Sequence, residues 1–134
     1  MRTVLLMVSV LGFAVLVACA ASPGTTCTVP DNPACQVDAS TLLKCFDGGY
    51  VVVSDCHGPG GCSTDGGTVT CDTTGNSAGD RCAPQSEGKV RCDPDAGANI
   101  LQCAGGVLNV LQTCPASTSC VIISDGGSAT LTCK

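Results

Sequence analysis

The residues best equipped for chemistry in this 134-residue chain are its 13 cysteines and its single histidine. Cys19 stands apart, directly after Leu16-Val17-Ala18, where a thiol could serve as a nucleophile. His57 lies in Cys56-His57-Gly58-Pro59-Gly60-Gly61-Cys62. A Cys/His pair is the material of a zinc site or an activated thiol, but zinc favours two to four residues between paired cysteines and this gap is five. Cys92-Asp93-Pro94-Asp95-Ala96-Gly97-Ala98-Asn99 places oxygen ligands at alternate positions, in the manner of a calcium loop. It lacks a downstream bidentate Glu, and Asp, Pro, Gly and Asn are equally the residues of turns. No metal, no cofactor and no catalytic group is therefore expected, and His57 reads as a residue of an exposed turn.

The surroundings of Cys19 explain why it differs from the other thiols. Met1-Arg2-Thr3 supplies one positive charge, and an apolar run of about 14 residues, Val4 to Val17, follows it. That run is shorter than the roughly 20 residues that span a bilayer, so residues 1–18 read as an export signal. Leu16-Val17-Ala18-Cys19 resembles the lipobox of bacterial lipoproteins. The resemblance implies that Cys19 receives a thioether-linked diacylglycerol, that the signal is cleaved before it, and that the new N-terminus is acylated. Ala20, in the position where Asp favours inner-membrane retention in that family, implies the outer membrane of a Gram-negative cell. An ordinary signal peptide cut at Val17-Ala18-Cys19-Ala20 is the alternative; either way 12 cysteines, an even number, remain.

Composition narrows the rest. The region after residue 18 holds all 11 acidic residues and five of the six basic ones, a formal charge of −6. No Lys/Arg cluster is present, which argues against nucleic acid and against a polybasic membrane contact. Membrane attachment is expected through lipid, whose several chains exceed the marginal hold of one. This region has no Trp, one Phe (Phe46) and one Tyr (Tyr50), too few for an aromatic core. Its cysteine density is that of a disulfide scaffold, which belongs to an oxidising compartment.

The 12 cysteines form two sets of six: Cys27, Cys35, Cys45, Cys56, Cys62, Cys71, and Cys82, Cys92, Cys103, Cys114, Cys120, Cys133. Both contain C-x10-C-x5-C, at an offset of 58 residues. Leu42-Leu43-Lys44-Cys45 matches Ile100-Leu101-Gln102-Cys103, and Asp65-Gly66-Gly67 matches Asp125-Gly126-Gly127. Pro115 stands where the first copy has His57. The expected organisation is a signal peptide over 1–18, a flexible tether over 19–26, one module over 27–71, a linker over 72–81 whose Gly, Ser and Asn give it no preferred geometry, and a second module over 82–133. Each module is too small to rest on an apolar core alone. Short apolar or alternating runs, Tyr50-Val51-Val52-Val53 and Val107–Leu111, follow the glycine turns Asp47-Gly48-Gly49 and Ala104-Gly105-Gly106. The fold class is small, disulfide-rich and all-β: two tandem six-cysteine modules of hairpins and meanders, with each module's cysteines pairing internally and alike.

The outline C…L-x-C-x-x-G-G…C-x5-C resembles small Cys-rich extracellular repeats of bacterial surface proteins and, loosely, six-cysteine chitin-binding modules. Sugar binding calls for aromatic faces. The first module offers Phe46 and Tyr50, whereas the second has Ala104 and Leu108. The expected function is non-catalytic: a lipid-anchored envelope protein presenting a binding or structural surface to an extracellular protein or glycan, with Phe46, Tyr50 and His57 as candidate contacts. The alternatives are a freely secreted inhibitor- or effector-like protein and a weak carbohydrate-binding module.

Overall fold

The computed structural model describes residues 21–125 and 128–134. The signal segment, the Leu16–Cys19 motif and the Gly126-Gly127 turn lie outside the described residues. The protein is all-β. In the first module, β1 (Pro33–Cys35), β2 (Thr41–Phe46) and β3 (Gly49–Asp55) form an antiparallel meander, and β4 (Cys62–Asp65) and β5 (Thr68–Cys71) form a hairpin. The second repeats this with β6 (Val90–Cys92), β7 (Asn99–Ala104) and β8 (Val107–Thr113), then β9 (Cys120–Asp125) and β10 (Ser128–Cys133). The only helical element among the described residues is a 3-10 turn, Pro84–Ser86.

The central hairpins form where the glycine pairs predict them. Asp47 and Gly48 turn β2 into β3 with φ of 48° and 79°, and Gly105 and Gly106 do the same with 64° and 77°. Two successive positive φ values give the tight turn whose twist suits paired strands. Both copies carry a bulge at the same place, between Leu42 and Leu43 and between Ile100 and Leu101. The extra residue falls on the partner strand, Val53 in β3 and Leu111 in β8, opposite Leu43 and Leu101, which are completely buried. The short strands β1 and β6 carry no alternation that sequence could reveal; they form because β2 and β7 offer a free edge beside them.

Pairing of the twelve cysteines is internal to each module and identical in both. Cys27–Cys45, Cys35–Cys62 and Cys56–Cys71 correspond to Cys82–Cys103, Cys92–Cys120 and Cys114–Cys133. Their sequence separations run from 15 to 28 residues. By loop-closure entropy each is worth about 3 kcal/mol. The apolar clusters are small by comparison: Ala21, Ala34 and Leu43 in one module, and Cys82, Leu101, Cys103 and Leu108 in the other. Six disulfides hold the two sheets and two hairpins together, and such bonds belong to an oxidising compartment. No helix among the described residues is long and apolar enough to cross a membrane.

Two segments differ from expectation. The tether was expected to be flexible, yet from Ala21 onward it is docked. The Ala21 amide donates to Cys35 O at 3.3 Å, the Gly24 amide donates to Tyr50 O at 2.8 Å, and the Tyr50 amide donates to Thr25 O at 2.9 Å. The linker docks in the same way: Gly79 N donates to Leu108 O and Leu108 N to Asp80 O, both at 2.8 Å. The structural repeat thus begins at Gly24 and Gly79, before the first cysteine of each set. The short polar residues that mark these segments as loops also bond readily to backbone, and here they find partners.

Candidate functional site

The connection between the modules is built from side chains that fix their own backbone. Asp72 Oδ1 accepts from the Thr74 amide at 3.0 Å and the Thr74 hydroxyl at 2.6 Å, while Oδ2 accepts from the Gly60 amide at 2.9 Å. The Thr74 hydroxyl, then the Gly60 and Thr74 amides, and last the charge of Arg91 hold the Asp72 carboxyl below its ordinary value. Asn76 is 1% exposed. Its Oδ1 accepts from the His57 amide at 2.9 Å and its Nδ2 donates to Asp55 O at 2.6 Å. Gly75 must be glycine, because a Cβ there would collide with the His57 carbonyl. Arg81 then joins the modules through its own backbone groups. Its amide donates to Asp55 Oδ2 at 2.7 Å, its carbonyl accepts from Asp55 N at 3.2 Å, and it bridges to Val107 across the second hairpin.

His57 belongs to this junction. Its Nδ1 lies 2.8 Å from Asp80 Oδ2, and the same carboxylate oxygen accepts from the Ser77 amide. A His–Asp pair is the rear half of a catalytic triad. The front half is absent among the described residues, where no hydroxyl or thiol bonds to His57 and all twelve cysteines are in disulfides. The pair ties the Cys56–Cys62 loop to the linker. Pro115 occupies the His57 position in the second module.

Beside this junction the two modules enclose an open hollow of about 540 Å³. Leu42 and Val69 come from the first module and Val90 and Leu108 from the second. Ser54, Thr73 and Ser86 contribute hydroxyls, and Lys89 and Arg91 are the only charged lining residues. Arg91 Nη2 donates to Thr74 O at 3.0 Å. Comparison of the modules explains the opening. The position of Arg91 in β6 is that of Ala34 in β1, since Arg91 pairs with Leu101 as Ala34 pairs with Leu43. Ala34 packs with Ala21 over Leu43 and closes the first module. In the second, Arg91 cannot pack so closely, and the space stays open.

The aromatic candidates do not form a platform. Tyr50 sits directly opposite Cys45, and Phe46 opposite Gly49. Direct cross-strand partners share a face and successive residues alternate. Tyr50 and Phe46 therefore point to opposite sides of the hairpin. Tyr50 packs against the Ala21, Ala34 and Leu43 cluster, and its hydroxyl meets Asn32 Nδ2 at 3.4 Å. Phe46 is 64% exposed and borders a smaller hollow of about 290 Å³ with Pro30, Asp31 and Asp47. His57 joins neither. Carboxylates of the calcium-like stretch are engaged in hydrogen bonds: Asp93 Oδ1 accepts from the neighbouring Asp95 amide, and Asp95 Oδ2 from the Ser77 hydroxyl of the linker. Among the described residues no three His, Cys, Asp or Glu side chains converge as a metal site.

Sequence reasoning missed Asn76, Asp72, Lys89 and Arg91. The last two carried a signal, the exchange of Asn32 and Ala34 for Lys89 and Arg91 between the repeats. No family model, no curated protein and no solved structure matches the chain.

Proposed function

We propose that this protein is a non-catalytic cell-envelope lipoprotein, anchored through Cys19 in the outer membrane of a Gram-negative cell, that presents a disulfide-stapled binding surface. The observation that carries the binding reading is the hollow between the two disulfide-stapled modules, whose lining mixes apolar side chains with polar and cationic groups. Leu16-Val17-Ala18-Cys19 supports the anchor, and docking from Ala21 onward would hold the modules close to the lipid. The opposed faces of Phe46 and Tyr50 favour the hollow over the aromatic turn as the place of contact.

The test is detergent-phase partitioning with metabolic acyl labelling and intact mass. The wild-type protein is expected in the detergent phase with a lipidated Cys19, and Cys19→Ala in the aqueous phase without label. A wild-type protein in the aqueous phase, with an N-terminus beyond Cys19, would establish the freely secreted alternative.

A further inference from the structure

We infer that the inter-module hollow binds a small amphipathic anion, with its carboxylate or phosphate head on Lys89 and Arg91 and its apolar part against Leu42, Val69 and Leu108. The inference deepens the binding reading above and rests on it. It starts from a charge anomaly: the chain is acidic, yet no carboxylate lines this hollow while two cations do. Neither cation is neutralised by an ion pair within 4 Å among the described residues; the pairs there are Lys44–Asp31 and His57–Asp80. Asp72 lies near enough to feel Arg91, but both its oxygens accept from Thr74 and Gly60. Glu87, next along the chain, is turned away, with its oxygens on the Gly105 and Gly106 amides.

The repeat supplies a second argument. At the two positions where the first module has Asn32 and Ala34, the second has Lys89 and Arg91. A purely structural junction would be served by the small residue, which closes the first module. Arg91 instead leaves space and spends one donor on Thr74 O, which fixes its guanidinium and leaves further N–H groups for a ligand. A planar fork held in place beside a mobile ammonium suits a carboxylate or phosphate head. The hollow, of about 540 Å³, accommodates a head with a short chain rather than a polymer.

The experiment titrates the full-length oxidised protein with hexanoate, hexyl phosphate, hexan-1-ol and hexylamine, read by amide shifts in two-dimensional NMR. Saturable shifts at Val69, Val90 and Arg91, with the Thr64 and Thr68 amides unmoved, are expected for the anions; their relative affinity identifies the preferred head. Hexan-1-ol should bind at least about tenfold more weakly and hexylamine not at all. Lys89→Glu reverses an exposed charge and should weaken anion binding roughly fivefold or more. Arg91→Ala restores the residue of the first module, so it should fold, and should weaken binding further. Equal response to hexan-1-ol, or full affinity in both variants with native spectra, would overturn the proposal. Absence of anion binding by a protein that still partitions through Cys19 would also overturn it, while leaving the envelope reading in place. Binding by a protein without lipid would remove the anchor and keep the ligand.

Discussion

Replacing Asn76 tests whether the linker is a clamp or a tether. Its buried amide makes two bonds to the first module, to the His57 N–H at 2.9 Å and the Asp55 carbonyl at 2.6 Å. Each such bond is worth about 1 kcal/mol net. The Asp55 carbonyl keeps a bond from the Ser54 hydroxyl at 3.1 Å, which limits the cost on that side. Asn76→Ala should therefore destabilise the oxidised protein by about 2 kcal/mol, a sizeable share of the roughly 5–15 kcal/mol typical of a domain. Asn76→Asp sharpens the test. It keeps the acceptor for His57 but loses the donor, and sets a buried carboxylate against the Asp55 carbonyl. At pH 7 it should cost at least as much as Asn76→Ala, and relative to wild type it should recover in acid, when the protonated carboxyl regains an O–H donor. The assays are denaturant unfolding with disulfides intact and hydrogen exchange of the His57 amide, which should lose protection in Asn76→Ala. Wild-type stability with unchanged His57 exchange would refute the clamp.

Other expectations follow from the same geometry. Because the folded Asp72 carboxyl titrates below its ordinary value of 3.8, its stabilising effect is complete above 3.8 and is lost as pH falls from there through the folded pKa. Asp72→Asn, which cannot accept from the Gly60 amide and Thr74 together, should be less stable than wild type at pH 7 and show a shallower acid loss in unfolding midpoints. Phe46→Ala should change the unfolding midpoint little, because Phe46 is 64% exposed, whereas Tyr50→Ala should lower it by uncovering the Leu43 cluster. A shared polysaccharide-binding defect in both variants would contradict their placement on opposite faces.

Much of the fold was legible because it is written in rigid local signals. Paired glycines marked the central turns, and the common C-x10-C-x5-C spacing marked the duplication. Connectivity was not legible, since six cysteines allow 15 pairings and spacing does not rank them. The strands β1 and β6 were also hidden, having three residues each and no independent periodicity. The linker misled for a physical reason. Asp72, Thr74, Asn76 and Ser77 are the side chains that make a free chain polar and turn-prone. They are equally the ones that cap backbone groups when a neighbour supplies them, and composition cannot tell whether the neighbour exists. Phe46 and Tyr50 misled differently: closeness in sequence across a tight turn says nothing of the face, which the strand register decides.

The two modules share connectivity, bulge and turns, so their differences measure what the junction requires. In the first module Ala21 and Ala34 close over Leu43, and Tyr50 and Val52 pack against them to complete a small core. In the second, Asn76 turns away from the module it precedes to bind His57 and Asp55 of the one behind it. The segment that would have sealed the second core is thereby committed to the joint, and Arg91 lies where Ala34 would have helped it. The hollow and the rigid joint thus arise together. A duplicated module with the sequence of the first at these positions would have gained apolar packing but lost both the clamp and the cationic wall, leaving two beads on a loose string. The joint positions the walls of the hollow from both modules at once, which is the preorganisation that the proposed ligand site requires.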